Sequence, residues 1–414
     1  MTSHTSLRFR RGWNPAIAAS LIVCSTGSAQ DFALRVADSD PLGLGRFVPT
    51  TADLLQETTG IESGIKGAFA LNATLGAVYD SNFFLTSSNT DDEISVLFEP
   101  SLVYTSDPEG GATHTFSARY EPTFRAFLDN TDLNDIDHSG DILYTMRGSR
   151  TEVSLYANYA ELTGTDRFTG AFTTGWVVGA GVRANREIAS RTSINGGLFY
   201  SMSDYSSGGL EGSTVHGGYV GGLWRATGRT SMGATLRYTQ SESDNSGTRD
   251  AWALLLEGRY RAGERIWLSA TLGPEFSQDS DTGDNSVNLS ANLKCRYVIN
   301  ERWSWVNSLR TDTVPSPSST GYLVNNYGFS SLLEHSLTRG TVSGGIEFNY
   351  SEYDDVGNTL VTRDNEENYS LFLAYGRGFF NDRLSFDSSV RYRLNDGSTD
   401  WHQWLVSASV SMPF

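Results

Sequence analysis

Val287-Asn288-Leu289-Ser290-Ala291-Asn292-Leu293-Lys294-Cys295-Arg296-Tyr297-Val298-Ile299 sets an apolar side chain at every second position. Residues i and i+2 of a strand share a face. The run therefore encodes a strand with one apolar row (Val287, Leu289, Ala291, Leu293, Cys295, Tyr297, Ile299) and one polar row that carries Asn288, Ser290, Asn292, Lys294 and Arg296. At 3.6 residues per turn the same spacing would scatter the apolar groups around a helix and leave it without a buried stripe. Cys295 falls on the apolar row, which makes it a packing residue rather than a reactive thiol.

The alternation recurs in both directions. Before this run it marks Phe69–Tyr79, Ile94–Tyr104, Phe116–Leu128, Ile142–Met146, Val153–Tyr159, Trp176–Ala184, Ile194–Met202, a Gly-rich Val215–Arg225, Met232–Tyr238, Trp252–Tyr260 and Ile266–Phe276. After it come Trp303–Leu309, Phe329–Leu337, Val342–Tyr350, Tyr369–Tyr375, Leu384–Tyr392 and Trp404–Phe414. These are eighteen candidate strands, with 16 to 20 as the bracket because the Gly-rich 213–230 region reads either way. Many apolar rows end in an aromatic, as in Phe69 with Tyr79 or Trp404 with Phe414, where a membrane interface places amphipathic rings.

Composition narrows the class. The 414 residues include 42 Gly, 19 Tyr, 21 Phe and 9 Trp and carry a formal charge of -17, which excludes a phosphate-neutralising nucleic-acid binder. No stretch approaches 18 consecutive apolar residues, so the chain is not a helical membrane protein. A transmembrane barrel needs only about ten alternating residues per strand and keeps the mean hydropathy of a soluble protein.

Connections support the barrel. Asp80–Asp92, Asp129–Asp137, Gln240–Asp250, Ser277–Asn285 and Ser351–Glu367 read as long acidic loops, whereas Ser106–Gly111, Gly148-Ser149-Arg150, Ala189-Ser190-Arg191, Ala226–Arg229, Arg261–Arg265, Thr338-Arg339-Gly340 and Gly378–Arg383 read as short turns, mostly marked by Gly and Arg. Long and short connections alternate along the chain, as in an outer-membrane barrel with loops outside and turns on the periplasmic side. The expected fold is thus all-β, a single transmembrane antiparallel β-barrel over residues 66–414, in the cell outer membrane among lipids and lipopolysaccharide.

Residues 1–29 read as a cleaved signal peptide, with basic Arg8, Arg10 and Arg11, an apolar Ala16–Cys24 and small Gly27-Ser28-Ala29 at the cleavage site. Its removal takes the charge from -17 to -20 and leaves Cys295 as the one thiol, so no internal disulfide forms. Residues 30–65 read as an N-terminal periplasmic or plug segment.

The polar rows should line the lumen. Glu99, Arg119, Glu121, Arg125, Arg183, Glu187, Arg237, Glu257, Arg259, Lys294, Arg296, Arg310 and Arg391 fall on them, and a dry core could not hold so many ionisable groups. A watery pore follows, with its Arg groups facing polysaccharide or small anionic solutes and acids such as Glu121, Glu187 and Glu257 available to neutralise them. The expected function is a porin-like channel. The alternatives are a structural or surface-binding barrel with a blocked lumen, then an outer-membrane hydrolase. The five histidines after residue 29 show no metal-ligand spacing or nucleophile motif, and Asp279–Asp284 lacks a full Ca2+ pattern, so neither metal nor cofactor is expected.

Two segments resemble known families. Alternation ending in a C-terminal Phe, here Trp404, Val406, Ala408, Val410, Met412 and Phe414, resembles the terminal strand that outer-membrane barrels present to the barrel-assembly machinery, with Pro413 as a departure. Tyr79-Asp80-Ser81-Asn82-Phe83-Phe84 resembles the Tyr-Asp-x-Asn-aromatic motif of the beta-barrel porin-2 family, whose members are often associated with exopolysaccharide loci. Read from its residues alone, Asp-Ser-Asn is a turn former capping a strand.

Overall fold

The computed structural model describes residues 69–414 apart from 89, 108–111, 166–171, 207–211, 244–246, 281–282, 284, 316–321, 356–363 and 381–382. The expected signal peptide and the 30–65 segment lie outside the described residues. Eighteen strands follow one another: β1 (Phe69–Asp80), β2 (Glu93–Thr105), β3 (His114–Phe127), β4 (Asp135–Arg147), β5 (Thr151–Thr165), β6 (Phe172–Ala189), β7 (Thr192–Tyr205), β8 (Ser213–Arg225) and β9 (Thr230–Ser243). The second half comprises β10 (Gly247–Ala262), β11 (Ile266–Asp279), β12 (Asn285–Val298), β13 (Trp303–Pro315), β14 (Tyr322–Leu337), β15 (Gly340–Asp355), β16 (Glu366–Phe379), β17 (Leu384–Asp396) and β18 (Trp401–Pro413). Each alternating run of the sequence is one of these strands, the Gly-rich β8 included.

Every strand pairs antiparallel with its sequence neighbours, and β18 pairs with β1, so the sheet closes on itself. The closing register sets Leu75 opposite Val410 and Tyr79 opposite Val406. Pro413 lies opposite Asn72, and the chain recovers at once, because the Phe414 N–H donates to the Leu71 carbonyl at 2.8 Å. Trp404, Val410, Met412 and Phe414 all stand on the exposed face.

The barrel is inside out relative to a soluble protein. Leu75, Leu198 and Val287 on the apolar rows are 58%, 64% and 65% exposed, while Thr145, Ser154 and Thr235 on the polar rows are 1% exposed. A closed ladder with an apolar exterior meets the requirement of a bilayer core, which offers backbone groups no other partner. The chain is an outer-membrane β-barrel in construction, with its polar residues turned inward.

The structure corrects the connection lengths. β4 begins at Asp135, and β9 and β10 carry the ladder to Ser243 and Gly247, through most of the stretch that reads as a loop in the sequence. The long/short alternation is accordingly not strict: 244–246 joins β9 to β10, and 397–400 joins β17 to β18, while 106–113 on the other side is longer than either. The reason is that apolar alternation ends where the bilayer ends, since both faces of the strand then meet water. Polar cross-strand contacts still hold the hairpin there, as where the Tyr238 hydroxyl and Gln240 Nε2 donate to Asp250 Oδ1 at 2.5 and 2.9 Å.

The two phases of β18 can be tested against each other. Val410 faces outward, and Ser409 faces inward, opposite Asp387 across the β17 ladder. Val410→Arg should lose the folded, heat-modifiable band on unboiled gels, because an Arg near the bilayer midplane costs about 2–4 kcal/mol. Ser409→Arg should retain it, with Asp387 at hand for the new charge. Equal loss in both variants would contradict the assigned faces.

Candidate functional site

The interior is the surface where charged groups converge. Each sequence-predicted residue lies one position from an outward apolar residue: Glu99 follows Phe98, Arg119 precedes Tyr120, Arg125 follows Phe124, Arg237 follows Leu236, and Arg391 follows Val390. Cross-strand register carries the same phase around the sheet, through Val103↔Arg119↔Asp141 and Ser308↔Lys294↔Ser269. Glu121, Arg183, Glu187, Glu257, Arg259, Arg296 and Arg310 share it.

Many of these charges are paired. Arg119 Nε lies 2.9 Å from Asp141 Oδ1, directly across β3 and β4. Arg125 lies 3.6 Å from Asp137 and donates to the Thr163 carbonyl at 2.8 Å, while the Thr163 hydroxyl lies within hydrogen-bond distance of both Asp135 and Asp137. Arg237 reaches over β10 to Glu275 on β11 at 2.6 Å, and Arg391 reaches over β16 to Glu347 on β15 at 3.1 Å. Such second-neighbour pairs form because inward side chains converge on the concave side of the sheet.

The partners differ from those the sequence suggests. Glu187 pairs with Arg225 at 3.2 Å, both half-exposed, and Glu257 accepts the Thr235 hydroxyl at 2.5 Å. Asp141, Asp137, Glu275 and Glu347 neutralise Arg119, Arg125, Arg237 and Arg391 instead. Of these, Asp137 and Asp141 lie in a stretch whose opposite face holds Ile136, His138 and Gly140, too weak an apolar row to reveal a strand. Arg183, Arg259 and Lys294 have no carboxylate within ion-pair distance among the described residues.

At the end of β1, Asp80-Ser81-Asn82 forms a clasp across the barrel seam. Asp80 accepts the Asn82 N–H at 2.9 Å and Gln403 Nε2 at 2.7 and 2.8 Å. The Ser81 N–H donates to the Trp404 carbonyl, and Ser81 Oγ accepts the Trp404 N–H at 2.7 Å. Fully buried Asn82 donates from Nδ2 to the carbonyls of Thr86 and His402 at 2.8 and 3.0 Å. Asn82 Oδ1 accepts the Thr86 N–H.

This clasp aims the following residues into the barrel mouth. The Phe83 ring meets Phe127 on β3 and Phe172 on β6 at centroid distances of 5.2 and 5.6 Å, so it reaches past β4 and β5. Leu85, at φ 50°, is buried beside this turn. Nearby, the Glu93 carboxylate accepts the N–H groups of Leu128, Asp129 and Asn130, which ties the start of β2 to the β3–β4 connection. The mouth at the long-loop end thus carries a fixed apolar cluster over an otherwise polar interior.

No family model matches the chain, and no curated protein matches its sequence. Among solved structures it is similar to the outer membrane protein OpdK from Pseudomonas aeruginosa, at 13% identity over 84% of this chain and 99% of that one, with a TM-score of 0.46. It is similar to Pseudomonas aeruginosa OpdQ at 11% identity over 84% and 97%, with a TM-score of 0.48. A BenF-like porin from Pseudomonas fluorescens Pf-5 shows 13% identity over 85% and 100%, with a TM-score of 0.47.

Proposed function

We propose that this protein is a passive outer-membrane channel for small solutes, with its inward cations favouring anionic ones. The observation that carries this reading is a polar, ion-bearing interior inside an 18-stranded closed sheet, a strand number at which side chains alone do not fill the lumen. Arg183, Arg259 and Lys294 have no carboxylate within ion-pair distance among the described residues, so they are the groups that act on a passing anion. The long-loop end faces outward and the short-turn end faces the periplasm.

A blocked lumen is the second reading, and the Phe83–Phe127–Phe172 cluster favours it. Passage of an extended polysaccharide is a finer version of the channel, supported by the likeness of Tyr79–Phe84 to the beta-barrel porin-2 motif. Insertion by the barrel-assembly machinery accords with the C-terminal aromatic strand.

Planar-bilayer recordings separate these readings. The wild type should conduct with anion preference, and Arg183→Gln/Arg259→Gln/Lys294→Gln should move the reversal potential toward cations. Arg237→Gln should move it less, since its charge is already offset by Glu275. Conductance absent from the wild type but present in Phe83→Ala would establish the blocked barrel instead.

Orientation has its own test. In a Cys295→Ser background, Ser87→Cys should react with an impermeant thiol reagent on whole cells, and Ser149→Cys should not. The reverse labelling would invert the proposed topology.

A further inference from the structure

Seven short turns carry an Arg directly before the next strand begins: Arg150, Arg191, Arg229, Arg265, Arg302, Arg339 and Arg383. All seven are exposed. For five of them the carbonyl accepts an N–H from the adjacent strand, so the ladder and its phase extend to the Arg itself: Glu187 to Arg150, Arg225 to Arg191, Arg261 to Arg229, Val298 to Arg265 and Ser336 to Arg302. These positions continue the inward rows.

Two of these rungs oppose like charges. Arg191 lies across from Arg225, one step beyond Thr192↔Trp224, and Arg229 lies across from Arg261, one step beyond Tyr260↔Thr230. Like charges directly opposite one another destabilise a sheet, and an acid at either position would relieve the repulsion. The acids at hand are few: Glu187 lies 3.2 Å from Arg225, and Glu264 is exposed in the β10–β11 turn. Arg261 rests against the inward Trp267 ring at 5.5 Å and donates to the Gly263 carbonyl. Four guanidiniums therefore sit on four adjacent strands, in an arc of about 15 Å at the usual strand spacing.

We infer that Arg191, Arg225, Arg229 and Arg261 form a capture site for a soluble multivalent anion, bearing several phosphates or carboxylates, at the short-turn mouth of the barrel. The inference rests on the channel reading and gives it a direction, since such anions would gather on the periplasmic side. Guanidinium is the group suited to such a ligand, because its planar fork binds phosphate or carboxylate through two parallel hydrogen bonds. Spacing of one strand keeps the four charges within about one Debye length of their neighbours at physiological salt, so a single polyanion meets their summed field. The inward phase selects a solute in the vestibule over a lipid headgroup outside the wall.

The test uses inositol hexakisphosphate as probe on the full-length protein in zwitterionic bilayers, with Ser87→Cys in a Cys295→Ser background marking the long-loop side. Added from the short-turn side, the probe should block current at a concentration at least tenfold lower than from the other side. Arg191→Gln/Arg225→Gln/Arg229→Gln/Arg261→Gln should weaken that block tenfold or more, and the double variant Arg229→Gln/Arg261→Gln should fall between. Calorimetric titration of the detergent-solubilised, heat-modifiable barrel gives a readout independent of conduction, with binding in the wild type and loss in the variants. Equal block from both sides, or block and binding indifferent to the substitutions, would overturn the site. Block abolished by anionic phospholipid in the short-turn leaflet would reassign the arc to headgroups. A silent wild type that still binds the probe would refute the channel and keep the site, and a conducting one that does not bind would do the opposite.

Discussion

The constraint on which this structure depends is the need to pair every backbone N–H and C=O inside a medium that offers no partner. Eighteen neighbouring ladders meet it only because the last strand returns to the first. The seam is accordingly reinforced beyond its backbone bonds: Thr74 and Ser411 join hydroxyls at 2.8 Å, Gln403 binds Asp80, and Asn82 reaches the His402 carbonyl. Those last two contacts also fix where the chain goes after β1. Closure of the barrel and the aim of Phe83 into its mouth are thereby one arrangement, made by the same three residues.

Prolines show how close to the limit the ladder runs. Phe98↔Phe124 and Leu102↔Tyr120 place Pro100 opposite Pro122, and the β2–β3 register is interrupted between those rungs. A second interruption falls at Pro274, opposite Leu254 in β10–β11. Each lacks the N–H that the ladder uses. The remaining rungs on both sides keep phase, so the inward and outward rows continue past the gap without a slip.

Strand number, order and facing were legible in the sequence because a bilayer forces the period of two on each strand, from Phe69 to Phe414. The ends of the strands were not. Gln240 to Asp250 reads as a polar loop, yet most of it is hairpin, because water on both faces removes the apolar signal while the cross-strand hydrogen bonds persist. The polar rows likewise gave the inward residues but not their partners. Arg237 finds Glu275 two strands away, a relation that depends on register and curvature rather than on spacing along the chain. Arg marked most of the short turns in the sequence, whereas the opposition of Arg191 to Arg225 and Arg229 to Arg261 emerges only once the rungs are aligned.

Charge is also sorted along the barrel axis. Asp80, Glu93, Asp135, Asp137, Asp279 and Glu366 lie at the strand ends that meet the long loops, while Arg147, Arg225 and Arg261 lie at the ends that meet the short turns. The acids at the first end are largely committed: Asp80 and Glu93 hold seam and loop, and Asp137 faces Arg125. A carboxylate that already accepts three or four hydrogen bonds has little left to offer a passing solute. At the other end Arg147 pairs with Glu152 and Arg225 with Glu187, but Arg191, Arg229 and Arg261 are exposed, and Arg191 and Arg229 are set against arginines across the rung. Structure is thus concentrated at one mouth and exposed positive charge at the other, which gives the barrel a polarity that the formal charge of -17 does not convey.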